Sequence, residues 1–226
     1  MSGRPGEVPP GSEATALTPP ERMATAAAKL LIHEGPDAIT HRRVAEAAGV
    51  PRGSANYFFP TRAELFATAV RSAEQVRLAG AGHVADAIVP RWRTPDEAAK
   101  LLIAAWYAPG AGPDVVRARL DPMIDALHEP ELAAVMAESR PRLLGVLGRV
   151  LERCGFRADA DVDLIALVLD GALVYEHRID PDEALAAAHG IVGRLLALLP
   201  RDGGGARSEP DRAAPEEGGS ENARWP

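Results

Sequence analysis

The residues best suited to chemistry lie between Thr40 and Arg62, in the run THRRVAEAAGVPRGSANYFFPTR. Their types suit recognition of a polyanion. Thr40, His41 and Arg42 would open one helix, and Thr61 and Arg62 would open another. At a helix start the backbone N–H groups point outward and favour anions, so these two starts with their arginines form a candidate double phosphate clamp. Between them, Ala55 and Phe59 share one helical face and are expected to close a core. Ser54, Asn56, Tyr57 and Phe58 cannot all be core as well, which leaves an outward face on a short helix of a size to enter a major groove. Tyr57 is expected at phosphate or groove, with core as the alternative. Phe58 is expected to pack, and His41 fits either role.

Other motifs argue against catalysis. The glycines of GAGHVA, Gly80–Ala85, imitate a dinucleotide-binding pattern, but a charged helix precedes them where a buried strand is required. HEPEL at His128 lacks the second histidine of a zinc helix, and no two of the six histidines pair at ligand spacing within one helix. There is no G-x-S-x-G elbow, and the single Cys154 has no cue for activation. No catalytic residue, metal site or cofactor is expected. Trp106 and Tyr107 end an apolar run, and Met123, Leu127, Met136 and Tyr175 lie on other helical runs of the same region. They read either as ordinary core or as the adaptable wall of a small-molecule cavity.

The elements that must position these groups are helical. Ala, Leu, Val, Arg and Glu dominate a chain of 226 residues that is 46% hydrophobic and 4% aromatic. Thr18-Pro-Pro-Glu21 is a capping-box start for a first helix, with Met23, Ala27, Leu30 and Leu31 on one face and Gly35-Pro36 as its stop. A second helix is expected from about Thr40 to Ala48, and a third between Pro51 and Pro60, with Gly49 making the turn between them. Thr61 and Glu64 form another capping box, opening a fourth helix to about Ala79. Residues 80–94 read as a looser link. Helical runs follow near 95–108, 114–128, 131–153, 161–178 and 182–199, with a kink or break expected at Pro141. Residues 1–17 and 201–226 lack periodicity and read as disordered tails.

Charge divides the chain. The net charge is −7, yet residues 20–80 carry eight Lys/Arg against six Asp/Glu, while residues 81–200 carry twelve against eighteen. The basic excess falls on the segment with the candidate clamps. The single cysteine and the lack of an apolar leader or membrane-length run favour a cytoplasmic protein with no membrane partner.

Residues 18–79 resemble the DNA-binding domain of TetR-family transcriptional regulators, through RRVAEAAGV, GSANYFFPTR and the following AEL. Gly49, Gly53, Phe59, Thr61, Arg62 and Leu65 all stand where that family's pattern expects them. The resemblance implies an all-α protein: a three-helix helix-turn-helix domain joined by a connecting helix (18–79) to a helical effector-binding and dimerisation domain (80–200). It implies DNA contacts from Thr40, His41, Arg42, Arg52, Gly53, Ser54, Asn56, Tyr57 and Arg62. Asn56 stands where tyrosine is commonest and can read adenine bidentately, and Phe58 replaces a common histidine that donates to phosphate. Two apolar stripes end the helical region: Ile165, Leu169 and Ala172 on one helix, Leu185, Ala188, Val192 and Leu196 on the next. They fit an internal core, whereas the resemblance implies a four-helix bundle with a second copy. The implied function is a ligand-responsive repressor that binds a palindromic double-stranded operator as a homodimer. The alternative is a helical small-molecule-binding protein or enzyme in which the corner is only scaffold.

Overall fold

The structure, a computed structural model, describes residues 17–107, 120–157, 160–176 and 181–201. Apart from Leu17 and Arg201 the expected tails fall outside these residues, as do residues 114–119 of the run expected over 114–128. Among the described residues the elements are helices: α1 (Pro19–Glu34), α2 (His41–Ala48), α3 (Arg52–Phe58), α4 (Arg62–Ala87), α5 (Pro95–Tyr107), α6 (Pro130–Arg153), α7 (Val162–Glu176) and α8 (Pro181–Ala197). A short helical segment at 120–125 precedes α6. None of these helices is long and apolar enough to cross a membrane.

Local chemistry starts α1, α2 and α4 and stops α1 and α2. The Thr18 backbone N–H donates to Glu21 at 2.8 Å, and the box holds that carboxyl below its ordinary range. Gly35 ends α1 at φ 80°, and Gly49 ends α2 in the left-handed region at φ 61°, ψ 38°. That conformation lets the Val50 N–H return to the Ala45 carbonyl at 3.0 Å, so the chain turns directly into α3.

Two apolar clusters result. The first gathers Met23, Ala27 and Leu31 of α1 with Ile39, Val44, Ala45, Val50, Ala55 and Leu65, all buried. Leu132 and Val135 of α6 are buried in this same cluster, so a helix of the distal half completes the core of the proximal one. The second cluster joins α5, α6, α7 and α8 around Leu102, Trp106, Leu147, Phe156, Ile165 and Val192.

Two expectations need correction. Residues 80–87 are not a link: α4 runs unbroken to Ala87, because Ala81 and Ala85 bury in the second cluster and packing outweighs two helical glycines. Nor does Pro141 end a helix, since α6 continues through it to Arg153.

Candidate nucleic-acid interface and ligand cleft

The three-helix corner presents α3 outward. Only Ala55 of α3 is fully buried, and Phe58 and Phe59 pack half-buried against the first cluster. Arg52, Gly53 and Asn56 are exposed, and Ser54 is half-buried. Tyr57 is 81% exposed, its ring set edge-on against Phe58 with centroids 5.3 Å apart. An aromatic this exposed contributes no core, so its expected outward position holds, and Phe58 is the packing residue beneath it.

Flanking groups fix the corner. The Thr40 hydroxyl accepts the Arg43 N–H at 3.3 Å, capping α2, and Arg42 is exposed on its first turn. The Thr61 hydroxyl accepts the Glu64 N–H at 3.1 Å, and Glu64 accepts the Thr61 N–H at 3.3 Å. His41 turns inward: its Nε2 lies 2.7 Å from the Phe59 carbonyl, an acceptor only, so Nε2 carries the proton and ties the start of α2 to the end of α3. Arg62 is exposed, with its Nε donating to the Ile39 carbonyl at 3.4 Å. The chain before α2 and the start of α4 are thereby joined. Arg52 pairs with Glu46, and Arg43 with Glu34, both at exposed surface positions. Such pairs are weak and exchange readily with a competing phosphate.

The distal half holds a cleft of about 150 Å³ lined by Arg77, Trp106, Met123, Met136, Ala137, Ser139, Arg140 and Leu143. Three residues expected to line a pocket, Trp106, Met123 and Met136, meet there. Tyr107 is buried elsewhere in the second cluster, and Leu127 is 77% exposed and does not line the cleft. The Tyr175 side chain lies outside the described residues. Trp106 is fixed on both sides: its Nε1 donates to buried Asp170 at 2.7 Å, and the Arg77 guanidinium lies 5.4 Å from its ring centroid. Arg77 itself donates to Glu74 at 2.5 Å and to the Trp106 carbonyl at 3.4 Å. Sequence reasoning missed Arg77, Ala137, Ser139, Arg140 and Leu143. The i, i+4, i+7 spacing of Met136, Arg140 and Leu143 was the available signal.

A larger opening of about 420 Å³ lies between the two halves. Pro36, Arg62, Ala63 and Phe66 form one side, and Asp125, His128, Glu129, Glu131 and Leu132 the other. Its rim is rich in carboxylates. Cys154 is fully buried, and desolvation pushes its thiol up, against the smaller opposing effect of Arg93. That is the opposite of an activated nucleophile.

The stripes at the chain's end pack inside the protomer. Ile165, Leu169 and Ala172 of α7 and Ala188, Val192 and Leu196 of α8 are buried in the second cluster, with Leu185 partly buried beside them. A surface already covered within one chain is not available to a second copy. The outward side of α7 instead carries Leu164 and Leu167, 42% and 60% exposed.

Comparison with known proteins follows the same division. Residues 24–69 match the family model described as bacterial regulatory proteins, tetR family, and residues 93–198 match that of a tetracyclin repressor-like C-terminal domain. Among solved structures, the multidrug binding protein EbrR complexed with proflavin is 25% identical, with a TM-score of 0.58 over 79% of this chain and 99% of that one. A transcriptional regulator from Rhodococcus sp. Rha1 is 24% identical, with a TM-score of 0.56 over 80% of this chain and 97% of that one. A TetR transcription regulator from Haloarcula marismortui is 17% identical, with a TM-score of 0.60 over 80% and 97%. No curated protein matches the chain.

Proposed function

The chain belongs to the tetR family of bacterial regulatory proteins, and on that premise we propose that it is a ligand-responsive repressor that binds a palindromic operator as a homodimer. The observation that carries this is the outward face of α3. Arg52, Gly53, Asn56 and Tyr57 stand clear of the core between the capped starts of α2 and α4. The α3 helix enters the major groove, where Asn56 reads a base edge and Arg42 and Arg62 hold phosphates on either side. Gly53 leaves space for close approach of the duplex, since a Cβ there would meet nothing within 4 Å. His41 serves the corner rather than the DNA.

Two copies meet through the outward sides of α7 and α8. Leu164 and Leu167 supply apolar surface there, and Gly171 and Gly193 leave open space where a side chain would stand. Symmetry then sets the half-sites about one or two helical turns apart, roughly 34 Å each. EbrR was solved complexed with proflavin, and the 150 Å³ cleft is the place we assign here to a small organic ligand. Coupling to DNA runs along two helices. The first is α4, which leads from Arg62 at the corner to Arg77 at the cleft. The second is α6, which buries Leu132 and Val135 in the first cluster and turns Met136 and Arg140 to the cleft. A ligand that favours one spacing of the two corners by about 1–3 kcal/mol changes operator affinity 5–150-fold.

Selection of bound sequences from a random duplex pool tests the proposal. The expected product is an inverted repeat, with relaxed preference at one position in each half when Asn56→Ala is used. Binding that falls with salt but enriches no sequence would mean that the corner is scaffold only.

A further inference from the structure

The two clefts differ in chemical character, and this bears on what the ligand is. The opening between the halves carries Asp37, Asp125, Glu129 and Glu131 beside Arg62 and His128. The smaller cleft has two guanidinium groups and no carboxylate among its described lining residues: Arg77 from α4 and Arg140 from α6. The remaining described lining is Trp106, Met123, Met136, Ala137 and Leu143, which are apolar, with Ser139.

The two arginines differ in how they are held. Arg77 is positioned by Glu74, by the Trp106 carbonyl and by the Trp106 ring face, with little of its side chain exposed. Its fork is therefore preorganised, and little freedom is lost when an oxyanion meets it. Arg140 contacts Asp163 at 3.4 Å, but that carboxylate is 63% exposed. A surface pair of that kind is weak and screened, so a better-placed anion displaces it. An organic cation in the same space would find no carboxylate among the described lining residues to pair with.

Building on the reading of this cleft as the effector site, we propose that it takes a small organic acid. One carboxylate lies between Arg77 and Arg140, and a compact apolar body lies against Trp106 and the two methionines. A cavity of about 150 Å³ is of the size that holds a single benzene ring, which sets the scale of that body. Charge-assisted, bidentate hydrogen bonds from guanidinium to carboxylate give the selection. Because the two arginines belong to α4 and α6, an anion bridging them also fixes the spacing of the helices that lead to the DNA-binding corner.

Isothermal titration of the full-length protein with benzoate and hexanoate, each beside its neutral amide and its matched primary ammonium compound, tests this. The carboxylates are expected to bind at least about tenfold more tightly than either partner. Arg140→Gln, at a half-exposed position, is expected to weaken carboxylate binding by about tenfold to a hundredfold and to leave the amides unchanged. Equal or tighter binding of amide or ammonium compound overturns the proposal, as does the absence of binding by either carboxylate. Operator release measured with the same compounds separates the two levels. Release by an ammonium compound keeps the regulator and discards the acid. Carboxylate binding without release keeps the acid and discards the coupling.

Discussion

The two halves of the molecule use polar side chains in opposite ways. At the corner of α1, α2 and α3, the groups suited to binding stand outside: Tyr57 is 81% exposed over a core of small and aliphatic residues. In the distal half the polar groups go inside. Trp106 is 1% exposed, donates to buried Asp170, and carries Arg77 against its face. The first arrangement suits a rigid surface that meets a large partner without internal rearrangement. The second stores a hydrogen-bonded polar network in a low-dielectric interior, where adding or removing one partner shifts the balance of several others. A protein that must present one surface and sense with another places its sensitivity in the second.

The largest test of that contrast is Trp106→Ala. It removes a fully buried indole together with its bond to Asp170, and a loss of about 3–5 kcal/mol of stability is expected in urea unfolding. A loss under about 1 kcal/mol would mean that the network carries no weight. Leu132→Ala attacks the contrast from the other side. The residue sits on α6 but is buried in the first cluster, so about 2–5 kcal/mol should be lost from the corner. Hydrogen exchange should rise across residues 23–70. If it rises only in residues 95–197, the halves are more independent than their shared core implies.

The first half was legible because its signals are local. Thr18, Thr61 and Gly49 act on neighbours within a few residues, and each sits where its spacing placed it. The second half depends on which face meets which. Gly80 and Gly82 weaken a helix locally, yet α4 passes through them because Ala81 and Ala85 find partners far along the chain. The stripes on α7 and α8 were visible as apolar, but periodicity does not say whether a stripe is covered by the same chain or by another. Arg77 and Arg140 lie on different helices. Only the approach of α4 to α6 brings them to one cleft. Leu132 and Val135 show the same limit, since nothing near them in sequence announces the corner whose core they complete.

Smaller effects sharpen the description of the exposed half. Asn56→Ala leaves an exposed position with no core to disturb, so unfolding should be unchanged. Discrimination at one operator position should fall by about 1–3 kcal/mol in competition binding. Unchanged discrimination would remove Asn56 from base reading and leave the groove to Arg52 and Tyr57.

The smallest expected effect, from Thr61→Ala, separates geometry from charge at the start of α4. The substitution removes the hydroxyl that accepts the Glu64 N–H at 3.1 Å, worth about 1 kcal/mol of stability. Net charge does not change, and Arg62 keeps its backbone contact to Ile39. If Arg62 meets phosphate, the slope of log affinity against log salt should be the same in Thr61→Ala as in the parent, while Arg62→Ala lowers it by about one. A slope that falls equally in both variants would show that the helix start itself, with its N–H groups ordered by Thr61, is what holds the phosphate. The guanidinium would then serve chiefly to join α4 to the chain before α2.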